Sequence, residues 1–365
     1  MKKIIFSTYD DINNPYYAGG GAQAIYEITK RLAHFFEITV ITGNYRGAKN
    51  TNKEHVFYKR IGPPFLGPKF GQLVYSFLLP YYVKKESYDI WIESFTPPFS
   101  TSFLPLFSKK PIIGLVHMLP SEDMERKYKL PFQAIENAGL KIYKKFIVLS
   151  DVFERKIRKI NKNAEISIIP NGIEKIIFTK KRTDEEYILF LGRLEFDQKG
   201  IDLLIDAYKK ISTKINARLV IAGSGSARDT GLTEQKILQS GLQDRIHLMG
   251  RVSGTKKNML LKNCSVVVVP SRFETFSTVA LEAIAYGNPL VSFAIEGLGW
   301  IPTKCAIKVK PFDVQALSYA ILRVLTDKKL SNSMTKADKV AVKQFAWNRV
   351  VKQYVDLFKA VLNKN

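Results

Sequence analysis

Two doubly wound α/β domains are what the sequence predicts, on three observations. Short β-rich apolar runs alternate with segments of helical period, the alternation occurs twice, and the two series part at Pro170-Asn171-Gly172, a turn signal. A chain of 365 residues has room for two domains of roughly 100–200 residues each.

The first series predicts strands at Lys3–Ser7, 38–41, 89–93, Ile112–Val116, 146–149 and 166–169. Between the first two, Ala22, Ile25, Ile28, Leu32 and Ala33 mark one face of a helix. The second series predicts strands at Tyr187–Leu191, Arg218–Ala222, 246–249, Val266–Val269 and Leu290–Phe293, with helices at 201–211, 233–240, 256–262 and 278–286 between them. Strands alternating with helices give right-handed βαβ units and buried parallel sheets. The ligand is expected in a central cleft between the domains, at the carboxyl ends of the strands. The expected domains are 1–170 and 171–346, with 347–365 an amphipathic helix packing back on the first.

Composition is that of a globular protein, 46% apolar and 24% charged. Two distant cysteines, Cys264 and Cys305, give no disulfide framework and fit a reduced, cytoplasmic protein. The apolar start is too short for a signal peptide, and the apolar stretch Leu73 to Val83 is about half of what a membrane-spanning helix needs. The net charge of +23 is spread over the chain, with 26 Lys/Arg against 16 Asp/Glu in residues 1–178 and 30 against 17 in the rest. Such a field attracts nucleic acid, anionic membrane or phosphorylated substrates, and it also serves plain solubility. No nucleic-acid recognition motif accompanies it, so no nucleic-acid partner is expected.

The chemistry concentrates in the second half. From Val266 a buried strand runs through Pro270 into a loop carrying Glu274, then into a helix carrying Glu282. The start of that helix, at Ser277 and Thr278, points free amides and a positive dipole end at a diphosphate site. Glu282, one turn in, can accept both ribose hydroxyls, and Glu274 can hold hydroxyls of a sugar. Upstream, Gly192-Arg193-Leu-Glu195 and Lys199-Gly200 put two cations at the carboxyl end of a strand, where they can neutralise a departing diphosphate. Ala222-Gly223-Ser-Gly225 repeats the strand-to-glycine arrangement.

In order and spacing these blocks, with Glu274-x7-Glu282 and Gly287-x-Pro289, resemble the large retaining glycosyltransferase family (family 4, group 1) that includes sucrose synthase, sucrose phosphate synthase and bacterial cell-surface mannosyltransferases. The match runs from about Ile166 to Phe293. The resemblance implies a GT-B fold, an acceptor-binding first domain and a nucleotide-sugar-binding second one. It gives the diphosphate to Arg193 and Lys199, the ribose to Glu282 and the donor sugar to Glu274. This chain has Ser277 where the family often has glycine, which implies a shifted donor preference with activity kept. The segment Glu296-Gly-Leu-Gly-Trp300 also departs from the family's glycine-rich loop.

In the first half, the loop 10–18 leads into Gly19-Gly20-Gly21 and a helix, a setting in which an anion can approach the backbone. By position, Gly20 and Gly21 match the family's loop over the donor phosphates and acceptor. His117 ends a strand where the family carries a histidine that contacts the donor sugar, although Met118 replaces the acidic residue that often follows. No Asp or Glu in this half stands out as a base or nucleophile. The resemblance accounts for that, since in a front-side displacement the departing phosphate takes the acceptor's proton. No Asp-x-Asp motif or His/Cys cluster points to a metal, and no cofactor is expected beyond a UDP- or GDP-sugar as substrate.

The expected acceptor is a glycan or lipid-linked species in cell-surface polysaccharide or glycolipid synthesis. The aromatic stretch 65–83 and the basic stretch 126–145 suit docking on an anionic membrane at the inner face of the cell, or an ordinary domain surface. A competing reading is a non-catalytic sugar-nucleotide-binding partner subunit of the same fold. A dinucleotide oxidoreductase is discarded, because its glycine run should follow the first strand directly and here twelve residues intervene between Ser7 and Gly20.

Overall fold

A computed structural model of the protein describes residues 1–14, 19–97, 99–174 and 186–363. The chain forms two compact units, Met1–Gly172 with Trp347–Asn365, and Ile173–Ala346.

The first unit is built on β1 (Lys3–Ser7), β2 (Glu37–Gly43), β3 (Thr51–Lys53), β4 (Val56–Ile61), β5 (Ile90–Ser94), β6 (Ile112–Val116), β7 (Lys145–Val148) and β8 (Glu165–Ile168). Their order is β3-β4-β2-β1-β5-β6-β7-β8, parallel except for the β3–β4 pair. Alternate residues of β1 feed opposite cores: Ile4 and Phe6 pack under the helix Gly20–Leu32, while Ile5 joins the core containing Tyr75 and Leu79 of the helix Gly67–Lys85.

The final helix, Trp347–Asn363, belongs to this unit. It buries Trp347, Val350, Val351, Tyr354, Val355, Phe358 and Val361, spaced three or four apart on one face. Phe358 lies against Phe6 and Phe36, and a side chain at Gly172 would strike the Trp347 ring. Chain end and domain body thus share one core.

The second unit holds β9 (Tyr187–Leu191), β10 (Arg218–Ala222), β11 (Ile246–Leu248), β12 (Val266–Val269), β13 (Leu290–Phe293) and β14 (Ala306–Val309), all parallel, in the order β11-β10-β9-β12-β13-β14. Counted along the unit this is 3-2-1-4-5-6, the dinucleotide-fold order, and the first unit repeats it from β4 through β7.

The sequence reading missed β3, β4 and β14. Lys59 and Arg60 interrupt the apolar run of β4, and β14 is a half-buried edge strand. The aromatic stretch 65–83 forms most of the helix Gly67–Lys85, with Pro80 inside it. The helix expected at 233–240 begins at Ala227, because the Ser226 side chain accepts from the amide of Asp229 and caps it there. Among the described residues no helix is long and apolar enough to cross a membrane.

Candidate active site

In a doubly wound sheet the loops leaving the two strands where the order reverses diverge and open a crevice at their carboxyl ends. In the second unit those strands are β9 and β12, followed by residues 192–200 and 270–277.

The two loops are clamped together. The Arg272 amide donates to the Gln198 carbonyl at 2.9 Å, and its guanidinium donates to the Asp197 carbonyl at 2.9 Å and to both Asp202 carboxylate oxygens at 2.8 and 2.6 Å. Gly200, at φ 62°, makes the crossing possible, since a Cβ there would lie 2.1 Å from the Pro270 carbonyl oxygen.

The clamp sets Lys199 Nζ 2.8 Å from Glu274 Oε1, the same oxygen that accepts from Ser271 Oγ at 2.7 Å. Both side chains of the ion pair are largely buried, at 16% and 10% exposure. Among the described residues both partners sit on Oε1, which leaves Oε2 for an incoming group. Gly297, after β13, presses on the Glu274 backbone so closely that a Cβ would fall 1.7 Å from its carbonyl oxygen.

Ser277 caps the helix Thr278–Ala285, its hydroxyl accepting from the Ala280 amide at 3.2 Å. Helix geometry then leaves the Thr278 and Val279 amides without intrahelical acceptors. One turn on, Glu282 Oε1 meets Lys257 Nζ at 2.6 Å. Arg193 is 67% exposed and pairs with Glu195 at 2.7 Å, separately from the Lys199–Glu274 pair. The glycines of the neighbouring strand ends serve the fold. Gly192 donates its amide to the Ala222 carbonyl and Gly223 donates to Gly250, while a Cβ on Gly223 would sit 1.7 Å from the Gly192 carbonyl oxygen.

In the first unit the order reverses between β1 and β5. Residues 15–18 of the expected glycine loop lie outside the described residues. Gly19 starts the helix Gly20–Leu32 with no side-chain cap. Among the described residues a Cβ on Gly19 or Gly20 would meet nothing within 4 Å, and on Gly21 only Asp10 Oδ2 at 3.9 Å. Among the described residues, packing therefore does not require these glycines.

His117 follows β6, with Nδ1 sharing a 3.2 Å hydrogen bond with Ser94 Oγ. Among the described residues its Nε2 has no hydrogen-bond partner, and burial pulls the imidazole down to about 4, so it is neutral at physiological pH.

Several functional-looking groups escaped the sequence reading. Nothing in a one-dimensional pattern separates Lys257 from Lys256, and the Arg272–Asp202 clamp spans 70 residues. Glu93, at the end of β5, is buried. It accepts from the Tyr143 hydroxyl and from the Ser102 amide, and burial pushes its carboxyl up to about 7.

Glu93 carries a pH prediction. The unfolded carboxyl releases its proton near 4.5 and the folded one near 7, so the folded state holds the extra proton between those values. Stability from this group is full below pH 4.5 and lost as pH rises to 7. Glu93→Gln is therefore expected to gain on the wild type by about 3 kcal/mol between pH 5 and 8, read as urea midpoints across that range. Taking the difference cancels His117, whose lowered value destabilises the fold in the opposite direction, as pH falls from 6.5 to 4.

Comparison with known proteins fits this geometry. Residues 173–340 match the family described as glycosyl transferases group 1, and residues 18–175 match glycosyltransferase family 4. An uncharacterized glycosyltransferase of Methanocaldococcus jannaschii is 35% identical over 216 residues, covering 54% of this chain and 55% of that protein. The chain spans about half the length of the curated relatives it matches. Sucrose-phosphate synthase from Thermosynechococcus elongatus shares the fold at a TM-score of 0.84 and 21% identity, over 100% of both chains. Anabaena HepE, solved in complex with UDP-glucose, does so at 0.76 and 18%, over 99% of this chain and 100% of that one. With both halves matched and two Rossmann-like parallel-sheet domains, the chain belongs to the family-4-like glycosyltransferases of the GT-B fold.

Proposed function

We propose that the chain transfers a hexose from a UDP- or GDP-linked donor to a glycan or lipid-linked acceptor, with retention of anomeric configuration, in cell-surface polysaccharide or glycolipid synthesis. The observation that carries this reading is the Lys199–Glu274 pair at the switch point of the second sheet, beside a helix start whose next turn presents Glu282. The complex of HepE with UDP-glucose supports a nucleotide-sugar donor.

In this reading residues 171–346 bind the donor. The Thr278 amide takes a phosphate oxygen, Glu282 the ribose hydroxyls, Glu274 Oε2 the sugar hydroxyls, and Lys199 with the exposed Arg193 the negative charge growing on the diphosphate. Gly192, Gly223 and Ser277 shape the backbone that holds these groups. Residues 1–170 bind the acceptor, with the helix start at Gly20 and Gly21 offered to phosphate and His117 to the sugar. The acceptor hydroxyl attacks the anomeric carbon on the face from which the diphosphate leaves. The bond to phosphate breaks, and the departing oxygen takes the hydroxyl proton, so no protein nucleophile is needed. The work is done in the cytoplasm, peripherally at the inner face of the membrane, without a metal or further cofactor.

A thermal-shift series with UDP, GDP, ADP and their sugar conjugates tests the donor. Saturation about 100-fold above Kd is worth about 2.7 kcal/mol, or roughly 5–10 °C in the melting of a domain this size. Retention is read by proton NMR of the sugar first released from the donor in water: an α-linked donor is expected to yield the α anomer. No shift with any nucleotide overturns the donor assignment, and initial release of the β anomer overturns retention.

A further inference from the structure

We propose that the outer face of the helix Gly67–Lys85, together with the adjoining segment around Leu106 and Phe107, is a docking surface for an anionic lipid bilayer. This names the surface behind the peripheral membrane residence proposed above and rests on that part of the reading, while its test needs no sugar transfer.

The helix is apolar on both sides. Inward it buries Tyr75, Leu79 and Val83. Outward it presents Phe70, Phe77 and Tyr81, at 69%, 70% and 55% exposure. Spacings of seven and four residues put those three rings on one stripe. A helix with two apolar faces and one buried partner leaves the second face to be covered by something else.

The stripe is widened by its neighbours. Phe77 contacts Phe99 at 6.3 Å, and Lys84 Nζ lies 5.3 Å from the Phe107 ring, which ties the helix end to Leu106 and Phe107. Leu106 is 64% exposed.

Charge selects the occupant. Residues 65–85 and 95–110 contain five lysines, at 69, 84, 85, 109 and 110, and no Asp, Glu or Arg. Aromatic rings flanked by lysines match the interface of an anionic membrane, where rings enter the headgroup boundary and ammonium groups meet lipid phosphates. The helix is not long and apolar enough to span, so the contact is in-plane.

The test is co-sedimentation of the full chain with vesicles of phosphatidylcholine alone and of phosphatidylcholine with 30% phosphatidylglycerol. Binding to the anionic vesicles is expected, with a fall of roughly tenfold when salt rises from 50 to 500 mM, as Debye screening of several lysines requires. Phe70→Ser/Phe77→Ser/Tyr81→Ser together are expected to lower binding at least tenfold. Lys69→Gln/Lys84→Gln/Lys85→Gln are expected to lower it on anionic vesicles and to weaken the salt dependence, with Lys109 and Lys110 retained. Circular dichroism checks that both variants fold.

Failure of the wild type to sediment with anionic vesicles overturns the proposal, as does equal sedimentation of the ring variant. A self-association in solution that the ring variant removes, without vesicle binding, assigns the face to a second copy of the chain and also overturns it. None of these outcomes bears on nucleotide binding, which the thermal-shift series reads separately.

Discussion

Glu274→Gln is expected to slow sugar transfer by about 10²–10³-fold, the range found when one preorganised polar group at a developing charge is removed, while nucleotide affinity stays within about threefold. The asymmetry follows from where Glu274 is held. Its Oε1 is engaged by Lys199 and Ser271, and the backbone beneath it is gripped by Gly297 and by the Arg272 clamp. Gln keeps the shape and the Ser271 bond but loses the charge, which releases Lys199 and weakens the grip of Oε2 on sugar hydroxyls. A nucleotide without sugar lacks the hydroxyls that Glu274 would hold and meets only Lys199, whose charge Glu274→Gln leaves in place. Lys199→Met is expected to be similarly slow and also less stable, because it strands a largely buried carboxylate. Steady-state kinetics on both variants, with UDP or GDP affinity measured alongside, check this. Unchanged kcat in Glu274→Gln removes the residue from the reaction.

The two domains were legible in the sequence because buried parallel strands write themselves as short β-branched runs, such as Val266 to Val269. Strands that lie at an edge or carry charges, such as β3, β4 and β14, leave no such mark. The candidate site was legible where its chemistry is local: Glu274 and Glu282 straddle a single strand-to-helix turn. It was illegible where partners are distant in the chain. Lys257 reaches Glu282 across 25 residues and Tyr143 reaches Glu93 across 50, and only the packing of helices on the sheets brings them together. Glycine illustrates both cases. Gly192 and Gly223 are ligand-approach positions in sequence, and in the fold their amides also donate to Ala222 and Gly250. Gly19 and Gly20 face open space among the described residues.

Glu282→Ala is expected to weaken nucleotide binding by about 100-fold. Hydrogen bonds to a charged acceptor are worth about 1.5–3 kcal/mol each, and losing two ribose hydroxyl bonds at the low end of that range costs about 3 kcal/mol. Lys257 decides how much of this the carboxylate can deliver. Its Nζ sits 2.6 Å from Oε1, a contact that restrains the carboxylate and engages one of its two oxygens. The pair is partly exposed, at 32% and 19%, so its own energy is modest and its main effect is orientation. Lys257→Met is therefore expected to weaken nucleotide binding by about three- to tenfold, in line with the coupling energies of contacting pairs, and to leave the melting temperature of the free protein nearly unchanged. The double variant discriminates. If Lys257 acts through Glu282, adding Lys257→Met to Glu282→Ala costs nothing further. Additive losses in calorimetric titrations with UDP and GDP mean instead that Lys257 reaches the nucleotide on its own. Tighter binding by Lys257→Met means that the lysine competes with the ribose for the carboxylate and must be displaced before the donor can settle.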